Sequence, residues 1–258
     1  MPSSRILDFN DPYEYQRAIR AGNGVEVFPT TKGDFRAELV QINLDGLWMQ
    51  RGRESLPRIV HAAVNADRVG IEFPILGNQS PYRHHGVDLF PGDIAVNDHH
   101  LTARLSVAPC HWGAMSLTPA QLAAVGRTLM GRELTRPSFA HVVHPDPILM
   151  ERLLGLHDGV ARLARTTPER FAHPEVVRSL EEALIHAMVR CLATDAGADI
   201  DARAAHHMTV ISKLEEFLAA NDVQSVYLSE ICTATGVSES TLRRCCHEHL
   251  GMSPIRYL

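Results

Sequence analysis

The hydrophobic period of the chain changes once, at Thr118, and that change limits what it can fold into. Between residues 25 and 117, short apolar-rich runs alternate with turn residues. AELVQINL (37–44) and LWMQ (47–50) flank Asp45-Gly46, a strong hairpin signal because Gly tolerates the positive φ of a type I′ turn. Further strands are predicted over 58–64, 69–75, 86–90, 93–97 and 101–107, with Pro91-Gly92-Asp93 as a tight antiparallel connection. In the last of them Leu101, Ala103, Leu105 and Val107 alternate with Thr102, Arg104 and Ser106, the period of a strand with one buried face. Many short strands at this spacing predict a sandwich or barrel. Beyond the switch, Thr118-Pro119-Ala120-Gln121 offers a capping hydroxyl, a first-turn proline and a Gln that can bond back. A helix should therefore run to about Met130. Helical spacing returns over 148–165 and 176–192, and residues 194–206, small, polar and acidic, read as a linker.

A chain of 258 residues accommodates two ordinary domains, and 45% hydrophobic with 21% charged residues describes a folded globular protein. Neither a run of about 20 apolar residues nor an export signal is present, so the expected location is the cytoplasm. The five cysteines, Cys110, Cys191, Cys232, Cys245 and Cys246, are odd in number and lack C-x-x-C spacing, and are expected to be reduced thiols in cores. With 25 basic and 30 acidic residues the formal charge is −5, so any contact with nucleic acid must be local.

The C-terminal fifty residues carry the most specific pattern. Val210, Leu214, Phe217 and Leu218 mark an amphipathic helix ending near Asn221-Asp222. Leu228, Ile231 and Cys232 form the buried side of a short helix, and Gly236 suits a tight left-handed turn. Ser238 then caps a second helix with Leu242, Cys246 and Leu250 on its inner face, leaving Ser240, Arg243, Arg244 and His247 on its sides and outer surface. Helix, glycine turn and capped helix make a helix-turn-helix, whose second helix reads the major groove. The run GVSESTLRRCCHEHLGMSPIRYL, with Gly236, Ser238, Leu242, Arg244, Gly251, Ser253, Pro254 and Tyr257, resembles the first helix-turn-helix unit of the AraC/XylS family of bacterial transcription regulators.

The resemblance implies an α+β protein with a cupin-like antiparallel sensor domain over 1–193, the linker 194–206, and a partial helix-turn-helix domain over 207–258. It implies a regulator of transcription that binds double-stranded DNA and answers to a small-molecule effector, with a homodimer, and RNA polymerase in the case of an activator, as further partners. The DNA-contacting set is Ser238, Ser240, Thr241, Arg243, Arg244 and His247. The two arginines are suited to guanine edges or phosphates, and the hydroxyls to shorter contacts. The competing reading of Arg243 and Arg244 is an exposed basic pair matched to Glu239 or Glu248.

Three features depart from the family pattern. Cys246 stands where a large aromatic residue is usual, Tyr227 stands where a capping hydroxyl is usual, and the second helix-turn-helix unit is absent. The last implies a fragment or a truncated product, for which a sensor or dimerisation module without DNA binding is the alternative function. From residue 209 on, Lys213, Arg243, Arg244 and Arg256 face six acidic residues, a balance of −2 that is poor for a stand-alone DNA binder.

A metal-dependent cupin enzyme is the other alternative. It would draw on His84, His85, His99 and His100 with Asp88 or Asp93, but adjacent strand residues point to opposite faces and cannot share one interior. His141, His144, His206 and His207 fall in a loop and the linker, with nothing to make them converge. Trp48 and Trp112 fit either a core or a sensor cavity, and the apolar face of 176–192 fits either its own sheet or a dimer seam. No nucleophile–base pattern, phosphate loop or dinucleotide fingerprint is present, so neither catalysis, a cofactor nor a metal is expected.

Overall fold

The structure, a computed structural model, describes residues 2–21, 24–63, 65, 67–97, 101–137, 140–193, 202–221 and 226–257. Twelve strands form two antiparallel sheets, as expected of an α+β chain whose strands come first. The seven-stranded sheet has the order β1 (Ser3–Phe9), β3 (Ala37–Leu44), β4 (Leu47–Glu54), β11 (Cys110–Leu117), β6 (Val69–Pro74), β9 (Ile94–Val96) and β12 (His141–Val143). The five-stranded sheet has the order β2 (Glu26–Pro29), β5 (Arg58–Ala63), β10 (Leu101–Ser106), β7 (Tyr82–His84) and β8 (Val87–Leu89). A short helix, α1 (Pro12–Ala18), is capped by the Asp11 carboxylate, which accepts from Tyr13 N and Glu14 N.

Strand β3 is buried on both faces, which is why it reads as an almost unbroken apolar run. Val40, Ile42 and Leu44 face one way, into a core shared with α3 (Pro147–Thr166) and α4 (Pro174–Ala193). Ala37 and Leu39 face the other, into a second core with Val60, Ala62, Tyr82 and Leu89 of the five-stranded sheet and Trp112 of β11 in their own sheet. Val177, Leu184, Met188 and Cys191 pack into the first core, so the apolar face of 176–192 belongs to its own sheet.

Leu44 pairs with Leu47 across Asp45-Gly46, as the hairpin signal predicts. The positive φ, however, is at Asp45 (57°) and not at the glycine. Gly46 is needed for a different reason: a Cβ there would run into the Gln121 amide and come within 2.8 Å of Glu181 Oε1. The capping box of Thr118 and Gln121 opens α2 (Pro119–Met130) as expected, each side chain serving the other's backbone.

The last helices are α5 (Ala202–Ala220), α6 (Leu228–Thr235), α7 (Glu239–Leu250) and α8 (Pro254–Tyr257). Helix α5 takes in 202–206, the end of the stretch read as linker, because ARAAHH is rich in Ala and Arg, strong helix formers. The remainder of that stretch, 194–201, and Asp222 lie outside the described residues. Gly236 is left-handed (φ 74°) at the end of α6, and Ser238 accepts from Thr241 N at the start of α7. Leu242, Cys246 and Leu250 are all buried, as their spacing requires. Their core includes Ala103 of β10, so the helical unit covers the outer side of the five-stranded sheet at that point.

This reverses the simplest reading of β10. Its apolar side meets the helices, Val107 beyond its end is 74% exposed, and its polar side, Arg104 and Ser106, turns to the space between the sheets.

His157, in the middle of α3, is wholly buried beside Phe73, with ring centroids 5.1 Å apart. Burial, reinforced by the Arg51 charge, lowers its pKa to about 3, although the backbone of Gln50 and Ala114 pulls the other way. The unfolded chain therefore takes up a proton near pH 6.5 that the folded chain refuses until about pH 3. Stability tied to His157 is complete above pH 6.5 and is lost progressively as pH falls toward 3. From pH 7 to pH 5 this group should remove about 2 kcal/mol, and in His157→Leu that part of the loss should vanish from paired urea titrations.

Candidate functional site

Two regions concentrate charge and polarity where chemistry is possible: the space between the sheets and the outer surface of α7. In the first, Glu54 at the end of β4 forms an ion pair with Arg58 at the start of β5, both side chains 1% exposed. Its other oxygen accepts from Tyr15 Oη at 2.6 Å and from Trp112 Nε1 at 2.8 Å. Glu72 on β6 repeats the pattern, pairing with Arg104 Nε at 2.7 Å and accepting from Tyr82 Oη at 3.0 Å. Burial first, and then the adjacent carboxylate, raise the pKa of both phenols well above the ordinary value, so each stays a donor. Cys110 beside them is pushed up to about 12 by burial, and Cys191 and Cys246 to about 11 and about 12 by the same cause. These thiols are not nucleophiles.

Next to this network a narrow cleft with about 60 Å³ of free space is lined by Arg20, Trp48, Arg68, Glu72, Arg104 and Trp112. Arg68 lies over the Trp48 ring at 4.1 Å and Arg20 at 5.7 Å. Arg68 donates to the Gly46 carbonyl at 2.7 Å and to Ser116 Oγ at 3.1 Å, neutral acceptors that satisfy its N–H groups without cancelling its charge. Burial lowers the pKa of both guanidiniums; at Arg68 the Asp67 carboxylate opposes this and the Arg20 charge adds to it. Both tryptophans singled out in the sequence line this cleft, and Trp112 also belongs to the core.

On α7, Ser238, Ser240, Arg243, Arg244 and His247 are exposed and Thr241 is half-buried. Ser238 is occupied as the helix cap, and its hydroxyl also lies 3.0 Å from those of Ser240 and Thr241. Arg243 pairs with Glu239 one turn back, at 2.7–2.8 Å, in exposed geometry that an incoming anion can replace at little cost.

The cupin-enzyme alternative finds little geometry to support it. His84 Nε2 lies 2.8 Å from Asn97 Oδ1, Asp88 pairs with Arg83, and Asp93 holds His144 at 2.7 Å and the Phe90 amide at 2.9 Å. His99 and His100 lie outside the described residues. What does converge was not foreseen: His207, Glu248 and His249 bring one donor atom each to within 4.8 Å of one another. No spacing rule links residues 41 positions apart on different helices, so only the packing of α5 on α7 reveals the cluster.

Neither a family model nor a curated protein matches the chain. Among solved structures it is similar to the AraC-like transcriptional activator CuxR, with a TM-score of 0.45 and 16% identity over 86% of this chain and 80% of that one. It is also similar to a ligand-free point variant of ToxT from Vibrio cholerae (TM-score 0.32, 10% identity, 92% of this chain and 79% of that one) and to KdgF from a Halomonas species (0.27, 14%, 36% and 92%). Overlaps of this extent leave the function to be argued from the residues. Among the described residues no helix is long and apolar enough to cross a membrane.

The buried network gives a stability test. Arg58→Ala leaves the Glu54 carboxylate buried without its cation and should lower the unfolding free energy by about 3–5 kcal/mol. Tyr15→Phe, which removes one neutral donor and keeps the ion pair, should cost about 1–2 kcal/mol in the same urea titration.

Proposed function

We propose that the chain is a ligand-responsive transcription regulator of the AraC/XylS type, in which residues 1–193 sense a small molecule and residues 207–258 read duplex DNA. The observation that carries this reading is α7. It is capped by Ser238 after the left-handed Gly236, anchored by Leu242, Cys246 and Leu250, and presents Ser240, Arg243, Arg244 and His247 to solvent along its length. Arg243 and Arg244 are the base- or phosphate-gripping pair, Ser240 and Thr241 supply short polar contacts, Ser238 orients the helix N-terminus toward a phosphate, and His247 reaches the flank.

The sensing site is the cleft beside Glu72 and Arg104. Arg20 and Arg68 enter it and flank the flat Trp48 face, and among the described residues neither is paired with a carboxylate, which suits a small anion with an apolar or planar body. Strand β10 connects the two functions: Arg104 lines the cleft while Ala103, its neighbour, packs in the core of the helical unit. A ligand that displaces Arg104 from Glu72 thereby acts on the seat of α7.

Selection from a random-sequence duplex library, followed by anisotropy titrations, tests the DNA reading. The chain should enrich a defined site, and the Arg243→Ala, Arg244→Ala double variant should bind it more weakly by at least about 2 kcal/mol, roughly 30-fold. Absence of any enriched site, or equal binding by the variant, would remove α7 as the reader. In a thermal-shift panel of short-chain and aromatic carboxylates, at least one should raise Tm in the wild type and fail to do so in Arg20→Gln.

A further inference from the structure

We propose that His207, Glu248 and His249 form a binding site for a divalent first-row transition ion, with Zn2+ as its simplest occupant, that ties α5 to the C-terminal end of α7. His207 stands in the second turn of α5, and Glu248 and His249 in the last turn of α7. Their donor atoms lie within 4.8 Å of one another. Bonds of about 2.0–2.2 Å in tetrahedral geometry place ligand atoms about 3.3–3.6 Å apart, so the cluster needs only small side-chain rotations to close. One edge is already short: His207 Nδ1 lies 3.1 Å from Glu248 Oε2. The two imidazoles meet almost at right angles (80°), with centroids 5.5 Å apart.

Burial and chemistry agree with this geometry. His207 and His249 are 3% and 4% exposed, whereas the Glu248 side chain is 32% exposed and opens a path for an ion to enter. His249 Nδ1 is buried without a hydrogen-bond partner among the described residues, a state that costs about 1–3 kcal/mol unless something else uses the lone pair or proton. Two imidazoles and one carboxylate favour zinc, nickel, cobalt, iron or copper over magnesium or calcium, which prefer all-oxygen shells. Water completes the shell.

The β7–β8 turn closes the site from the sheet side. A Cβ at Gly86 would stand 3.2 Å from His249 Nε2 and 3.3 Å from the Glu248 carbonyl, and the His85 ring lies 6.5 Å from that of His249. An ion here would therefore stiffen the joint between the five-stranded sheet and the helical unit. The site is argued from these residues alone and does not depend on whether α7 reads DNA.

The test uses the full chain, freed of metal with a chelator and then titrated with Zn2+ against a chromophoric competitor. One tight equivalent is expected, above whatever weak binding the fifteen histidines contribute. Co2+ should give the visible absorption of a four-coordinate ion, and a matched titration with Mg2+ should show no tight equivalent. His207→Gln and His249→Gln should each lower Zn2+ affinity at least 10-fold and abolish the cobalt bands, with metal-free circular dichroism unchanged. Should either buried substitution disturb folding, Glu248→Gln, at a partly exposed side chain, gives the deciding comparison and should also lose at least 10-fold. No tight equivalent in the wild type, or equal Zn2+ affinity in wild type and Glu248→Gln, would overturn the proposal.

Discussion

Two ion pairs clasp the sheets together, and in both the carboxylate comes from the seven-stranded sheet and the guanidinium from the five-stranded one. Glu54 meets Arg58, Glu72 meets Arg104, and each carboxylate takes a phenol as a further donor. Charges this deeply placed are tolerated only while every partner is in position. A strand that slipped by one residue would turn its charged group to the opposite face and leave its partner unpaired, so the network fixes register as well as holding the layers. It also makes one part of the interior polar: beside the apolar core of Leu39, Val60, Ala62 and Leu89, the ion pairs continue into a cleft lined by Arg68, Arg20 and Gln50.

What the sequence revealed and what it hid follow from how far each feature reaches along the chain. The hairpin read over 37–50, the Thr118–Gln121 capping box, the left-handed Gly236 and the Leu242–Cys246–Leu250 face are settled by residues within a turn or two of one another, and all are found, the hairpin's second strand running on to Glu54. Strand β1 and helix α1 went unread, although Asp11-Pro12 carries the same kind of start signal as Thr118-Pro119. Strand β11 is harder, because CHWGAMSL is buried on both faces for much of its length and shows no clean alternation.

The interior could not be read at all in advance. Nothing near Arg104 in sequence announces Glu72, and the alternation along β10 marks one buried face without showing that the other is covered as well. Here the apolar side faces the helical unit, and Arg104 on the other side faces inward because Glu72 is there to pair with it. The histidines repeat the lesson. Their pairing in sequence, 84 with 85 and 206 with 207, carries little meaning, whereas the contact of 207 with 248 and 249 exists only once α5 lies on α7.

The end of α7 has one more property. His61 Nε2 on β5 donates to the Leu250 carbonyl at 3.1 Å, and Tyr257 of the following helix stacks edge-on against the same imidazole at 5.9 Å. The C-terminal end of the helix is thus tied to a strand of the five-stranded sheet, while Leu242 near its start is held in the core with α5 and α6, so the sheet and the helical unit share one continuous packing.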